Sequence, residues 1–224
     1  MIGFVVAMEK EAKLFIENAQ EVKSVLIAGK QSYIGKFKNK EFALIISGIG
    51  KVNAGFCTQI LIDKYSPNYI VNFGVAGGKE GSDLFAGDVV LIDKVCQYDF
   101  DLSEIDEVNI GYMQDYNTTF YKTNYTAYSG NNFKICSCAT GDRFTRKSYF
   151  LNVIKQLNAQ VVDMESGAIA QVATANNIPF LCLKLISDVD GKEGSIFKQY
   201  QSNVKTVCDK IPNAIEELLN YLNM

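Results

Sequence analysis

Apolar and polar positions along this chain fall into alternating blocks of two periods. Ile2 to Ala7 is a continuous apolar run, which predicts a strand buried on both faces. Glu9 to Asn18 then reads as a helix, with Ala12, Leu14, Phe15 and Ile16 on its apolar side. Ser24–Ala28, Ser32–Phe37 and Glu41–Ser47 read as strands, and Lys38-Asn39-Lys40 joins the last two as a hairpin. After the break at Gly48-Ile49-Gly50, Lys51 to Tyr65 predicts a helix with Val52, Phe56, Ile60 and Leu61 at helical spacing. Tyr69 to Phe73 is a strand ending in the glycine-rich stretch Gly74-Val75-Ala76-Gly77-Gly78.

Further strands are expected at Asp88–Val95, Phe133–Ala139, Gln160–Val162 and Pro179–Ser187, with helices around Arg146–Leu157 and Glu165–Ala175. A C-terminal helix carries Val204, Val207, Ile211, Ile215, Leu218 and Leu222 on one stripe, and Pro212 within it predicts a kink. Such alternation implies an α/β fold with a mostly parallel or mixed sheet covered by helices. Ligands of such sheets bind at the carboxyl ends of strands. Glu11 follows the first strand, Gly74–Gly78 another and Asp188 the last, so one shared site is expected there.

Gln97 to Asn132 breaks the pattern. It is polar and aromatic, holds six of the twelve tyrosines, and reads as a long irregular excursion. Loops of that length serve as lids, binding loops or subunit contacts.

The chain has 224 residues and no linker-like composition shift, so one domain spanning 1–224 is expected. Only Arg143 and Arg146 are arginines and the net charge is −3, which argues against a nucleic-acid surface. No apolar run reaches the ~18 residues of a membrane span. The first residues lack a basic region and read straight into a strand, so no signal peptide is expected. Most of the six cysteines lie in apolar stretches; Cys136-x-Cys138 has no second pair, and no zinc site is expected. These features suggest a reduced, cytoplasmic protein.

The chain contains no histidine, so proton transfer in any reaction it catalyses would rest on carboxylates. Glu11, Asp163-Met164-Glu165 and Ile186-Ser187-Asp188 supply them, and with no metal-ligand cluster they point to chemistry at a glycosidic bond. Each has a plainer reading. Glu11 and Glu165 suit helix starts, where the macrodipole favours negative charge. Ser187-Asp188 suits a helix cap, and Met164 and Phe144 suit a core.

Seven motifs in order carry a resemblance. They are Ala7-Met8-Glu9-Lys10-Glu11, Ser47-Gly48-Ile49-Gly50-Lys51-Val52-Asn53-Ala54, Asn72-Phe73-Gly74-Val75-Ala76-Gly77-Gly78, Gly87-Asp88-Val89-Val90, Gly141-Asp142-Arg143-Phe144, Asp163-Met164-Glu165 and Ile186-Ser187-Asp188. The chain resembles the 5′-methylthioadenosine/S-adenosylhomocysteine nucleosidases of the purine nucleoside phosphorylase-like superfamily over nearly its whole length. The resemblance implies a three-layer α/β sandwich round a mixed, barrel-like sheet, usually a homodimer. It implies hydrolysis of the N-glycosidic bond of 5′-thio-substituted adenosines, with no metal or organic cofactor.

It also implies roles for residues. Asp188 is the general acid towards the purine, oriented by Ser187. Glu165 holds the ribose hydroxyls and faces the oxocarbenium-like ribose, and Glu11 activates water. Met164 packs against the sugar and Phe144 stacks on adenine, and Met8, Val75, Ala76, Gly77, Asp163 and Lys184 are further substrate-binding positions. The backbone of Thr145 reads the base edge, and Ile49 and Phe197 line the 5′-thioalkyl pocket.

Two departures fall on the water side. Lys184 stands where the family usually has Arg, a swap of a bidentate fork for a point charge. Val75 stands where the family often has Ser. Weaker or rearranged water activation is therefore expected, with Lys184 acting alongside Glu11. Asp163 where Glu is common and Asp190-Gly191 after the last motif are smaller differences. Competing readings are a phosphorylase, disfavoured by the scarcity of arginine, a nucleosidase for aminodeoxyfutalosine or 5′-deoxyadenosine, and a non-enzymatic nucleoside binder.

Overall fold

The computed structural model describes residues 1–144 and 148–222. In chain order its elements are β1 (Ile2–Val6), α1 (Glu9–Glu17), β2 (Gln20–Ile27), β3 (Lys30–Phe37), β4 (Lys40–Ile46), α2 (Lys51–Tyr65), β5 (Tyr69–Gly78), β6 (Val89–Gln97), the single turn α3 (Ser103–Asp106), β7 (Tyr121–Lys122), β8 (Lys134–Thr140), α4 (Ser148–Gln156), β9 (Val161–Asp163), α5 (Ser166–Ala175), β10 (Phe180–Val189), α6 (Ile196–Cys208) and α7 (Ile211–Tyr221).

These strands form one mixed sheet, in the order β10-β6-β8-β9-β5-β1-β4-β3-β2. Because β10 also pairs with β5, the strands β5, β9, β8, β6 and β10 close into a ring, while β1 to β4 extend from it as an open wing. Ring closure removes sheet edges on that side. The barrel-like sheet flanked by helices agrees with the expected architecture.

Strand alternation divides the core. On β10, Leu181, Leu183 and Leu185 pack with Phe4, Phe15 and Phe73 and with Ile211, Ile215 and Leu218 of α7. Cys182 and Ile186 face the opposite cluster, which includes Cys57 and Leu61 of α2 and Ile169 and Ala173 of α5. Helices thus cover both faces. A third, smaller cluster joins Cys96, Tyr98 and Ala139 to Val153 and Ile154 of α4.

The Lys38-Asn39 hairpin is present: both residues have positive φ, and Phe37 pairs with Lys40. A two-residue loop of that kind matches the twist of its flanking strands. Three expectations change. The strand from Tyr69 does not stop at Phe73 but runs to Gly78, because β10 and β9 supply pairing partners along the glycine-rich stretch. Ser187 and Asp188 lie inside β10, so they do not cap a helix. The C-terminal stripe belongs to two helices, and Pro212 sits in the first turn of α7, where its missing N–H costs nothing. Within Gln97–Asn132, Tyr121 and Tyr128 are buried in the core. Among the described residues no helix is long and apolar enough to cross a membrane.

Candidate active site

The parallel strands β1, β4, β5 and β10 end on one side of the sheet. A cavity of about 400 Å³ opens there, lined among others by Met8, Ile49, Val75, Ala76, Gly77, Phe144, Asp163, Met164, Glu165, Ser187, Asp188 and Phe197. These side chains come from both ends of the chain and its middle, as the strand-end rule anticipates. Glu11 and Lys184 are buried behind this lining, bonded to its residues Met8, Val75 and Asp163. Thr145 lies outside the described residues.

Glu11 sits in the first turn of α1, the position the macrodipole favours, but only 2% of it is exposed. Its Oε2 accepts from the Met8 N–H at 2.8 Å and its Oε1 from the Val75 N–H at 2.8 Å. Val75 therefore serves through its backbone. Gly74 makes room for this: a Cβ there would fall 2.6 Å from Glu11 Oε1. Burial raises the Glu11 carboxyl above its ordinary range, against the pull of the Val75 N–H and the Lys184 charge.

Glu165 occupies the N-cap position of α5, and its Oε1 accepts from the Gly50 N–H at 2.9 Å. Gly50 precedes α2 with φ +99, a conformation that favours glycine and aims its N–H at the carboxylate. Burial, then the nearby Asp163 charge, pushes Glu165 up to about 7, while Lys184 and the Gly50 N–H oppose the shift.

Asp163, at the end of β9, is held from several sides. Lys184 Nζ lies 2.8 Å from its Oδ2. Thr140 Oγ1 and Ser166 Oγ donate to Oδ1 at 2.6 and 2.9 Å, and the Ser166 N–H to Oδ2 at 2.9 Å. Burial alone would raise this carboxyl, but the Lys184 charge and these hydrogen bonds outweigh it and hold Asp163 below the usual range. Burial likewise disfavours the Lys184 ammonium, yet the Asp163 charge lifts it above an ordinary lysine. The direct partner of Lys184 is thus Asp163; its effect on Glu11 is that of a nearby charge.

Asp188 is 4% exposed, and its Oδ1 accepts from Ser187 Oγ at 2.6 Å. Asn203 of α6 donates to the Ser187 carbonyl at 3.0 Å, and Gln199 bonds both backbone groups of Val189, so α6 braces this strand end. Phe144 is 57% exposed and edges against Tyr200 at 6.3 Å, so it belongs to the cavity mouth and not to the core.

The matching family model is that of the phosphorylase superfamily, over residues 1–220. The 5′-methylthioadenosine/S-adenosylhomocysteine nucleosidase of Oceanobacillus iheyensis is 32% identical over 228 aligned positions, covering 97% of this chain and 99% of its own. The chain belongs to this nucleosidase family.

Two solved members show the same fold. The nucleosidase from Colwellia psychrerythraea 34H, in complex with adenine, has a TM-score of 0.88 at 28% identity over 99% of this chain and 95% of that one. S-adenosylhomocysteine nucleosidase from Streptococcus pyogenes, in complex with 5-methylthiotubericidin, has a TM-score of 0.88 at 26% identity over 100% and 97%.

Several nucleosidase-cavity residues escape the sequence reading. Ile196 and Tyr200 join Phe197 on one face of α6, and Leu151 and Ile154 reach in from α4. Their helical spacing looks like ordinary core. Tyr98, Lys79 and Asp190 follow strand ends, and that position was the available signal.

Proposed function

We propose that this chain hydrolyses the N-glycosidic bond of 5′-methylthioadenosine, S-adenosylhomocysteine and related adenosines, releasing adenine and a 5′-thioribose. One observation carries this reading. Glu165 and Asp188 line one cavity with an apolar, aromatic mouth, and Glu11, up to 177 positions away in the sequence numbering, is held just behind its wall by the N–H groups of Met8 and Val75.

Asp188 donates a proton to the purine N7, which makes adenine a competent leaving group, and Ser187 fixes its orientation. Glu165 holds the ribose hydroxyls and sets negative charge against the oxocarbenium-like sugar, an interaction strengthened by a water-poor site. Glu11 orients and deprotonates the attacking water. Its two backbone N–H donors fix the carboxylate geometry before substrate arrives. Phe144 stacks on the base, while Ile49 and Phe197, both about half exposed, cover the 5′-thioalkyl group. Asp163 supports Lys184 and the start of α5 more than it contacts substrate.

Hydrolysis is favoured over phosphorolysis because Lys184 is already neutralised by Asp163, leaving it poorly suited to hold a phosphate. The protein works in the cytoplasm as a homodimer, with Gln97–Asn132, where Ile105 is 77% exposed, at the subunit contact.

The deciding experiment measures adenine release from 5′-methylthioadenosine without phosphate and then with it. Phosphate-independent release with free methylthioribose is expected. Release only on adding phosphate would make the protein a phosphorylase, and no release in either condition would overturn the reading.

A further inference from the structure

Two adjacent N–H groups at the start of α2 are divided between two carboxylates. Gly50 donates to the buried Glu165 Oε1 at 2.9 Å, and Lys51 donates to the exposed Asp142 Oδ1 at 2.8 Å. The mechanism above uses the first carboxylate and leaves the second without a role. Asp142 also lies against the turn itself, since a Cβ at Gly50 would come 3.0 Å from its Oδ1.

Asp142 is held in its turn by Asp99. The Asp142 N–H donates to Asp99 Oδ2 at 2.9 Å. Asp99 Oδ1 takes the Lys51 ammonium at 2.6 Å, with the Lys51 and Asp99 side chains only 18% and 13% exposed. The three residues close a ring: the Lys51 N–H on Asp142, the Asp142 N–H on Asp99, and the Lys51 side chain back on Asp99. Strand pairing brings these distant positions together. β6 and β8 run parallel and pair Gln97 with Thr140 at their ends, and Asp99 and Asp142 each stand two residues beyond. Phe144 of the cavity lining follows two residues after Asp142.

The ring acts on the weakest part of the Glu165 seat. Gly50 is the N-cap of α2, yet it brings no capping side chain, and glycine leaves a backbone freer than any other residue. A donor on such a turn aims well only if the turn is fixed from elsewhere. We propose that Asp142 is a positioning residue for Glu165: held by Asp99, it grips the Lys51 N–H and so keeps the neighbouring Gly50 N–H on the ribose-binding carboxylate. It touches no reacting atom. The inference rests on the role given to Glu165 above.

The test compares wild type with Asp142→Ala and Asp142→Asn, the second of which keeps an oxygen for the Lys51 N–H but no charge. The Gly50 amide resonance is followed against pH first, because a proton donated to a carboxylate reports that carboxylate's titration. In Asp142→Ala this titration is expected to move to higher pH, since a loosened Gly50 N–H favours the ionised form less. The other charges facing Glu165 are Asp163, Lys184 and Glu11, and the substitution leaves all three in place. Then kcat/KM for 5′-methylthioadenosine is measured. It should fall about 10-fold at pH 7, the lower end of the range for one hydrogen bond to a charged group, and the loss should shrink above the Glu165 limb. Asp142→Asn should restore both signals. Asp142→Ser, too short to reach the Lys51 N–H, replaces the alanine variant if that one does not fold. An unchanged Gly50 titration in folded variants, with kcat/KM unaltered or lowered equally at every pH, would overturn the proposal and leave the ring as a tie between loops, visible only in Tm. Because the amide is read without turnover, the two readings fail separately. A Gly50 titration that depends on Asp142 in a protein that cleaves no nucleoside would sink the hydrolase assignment alone. Cleavage with a Gly50 titration indifferent to Asp142 would sink this one.

Discussion

Lys184 Nζ and Asp163 Oδ2 lie 2.8 Å apart, with side chains only 2% and 1% exposed. The two departures at these positions, which look independent along the chain, are therefore one ion pair. The Lys184 ammonium lies below a group of carboxylates, where it also opposes the upward shifts of Glu11 and Glu165.

Removing one partner leaves a buried charge uncompensated, which costs about 3–5 kcal/mol. Lys184→Met should lower the denaturation midpoint accordingly, and pairing it with Asp163→Leu should recover much of the loss. Lys184→Arg keeps the charge but changes its geometry, so its turnover rate should differ from wild type. An unaltered rate would show that water activation is indifferent to the ammonium.

Asp188→Asn retains the shape of the side chain and removes its acid function. Adenine release should fall by about 10²–10⁴-fold, the usual contribution of an acid–base group, with adenine binding largely kept. Steady-state kinetics alongside adenine titration separates the two. A variant within a few-fold of wild type would remove Asp188 from the general-acid role.

Gly74→Ala tests the seat of Glu11. A Cβ at that position would come within 2.6 Å of Glu11 Oε1, so the carboxylate must shift away from the Val75 N–H. Displacement of about 1 Å costs on the order of 10²-fold in rate. Circular dichroism should show an intact fold while kcat falls. A kcat equal to wild type would mean that Glu11 tolerates relocation.

Glu165, pushed up to about 7, should give the free enzyme a pH limb. Its ionised form faces the sugar cation, so kcat/KM should decline as pH falls below about 7, and Glu165→Gln should lose activity and that limb together. The sign for stability is opposite. Between the ordinary value of 4.5 and about 7, native Glu165 keeps a proton that the unfolded chain releases, so this group's contribution to stability declines as pH rises through the window. Glu11, also raised, adds in the same direction. Denaturant titrations of wild type and Glu165→Gln from pH 4.5 to 8 would expose the difference; parallel curves would contradict it.

Much of this arrangement is legible in the sequence. The helix Lys51–Tyr65 has the bounds its sequence predicts because its apolar spacing and the glycines before it agree. Glu11, Gly74–Gly78 and Asp188 read as strand-end positions of one site; Gly77, Gly78 and Asp188 line the cavity, and Glu11 lies behind it on the Met8 and Val75 N–H groups. The sequence ends the strand before Gly74–Gly78 because glycines carry no apolar signal, although pairing with β9 and β10 makes them strand. Pro212 predicts a kink because a shared stripe hides the break between α6 and α7.

By itself, the sequence determined the α/β alternation, the strand ends that carry chemistry, and the reliance on carboxylates in a chain without histidine. These follow from local periodicity and residue type, which need no knowledge of distant neighbours. Only the tertiary structure decided that Lys184 belongs to Asp163, that Val75 serves Glu11 through its N–H, and that Lys79 meets Asp190 at the cavity wall. Those partnerships span 21, 64 and 111 positions: the pairing of β1 with β5 sets Val75 against Glu11, and the ring closed by β5 and β10 brings the other two together. Protonation followed the same rule: burial and neighbouring charge, both products of packing, pushed Glu165 up and held Asp163 down.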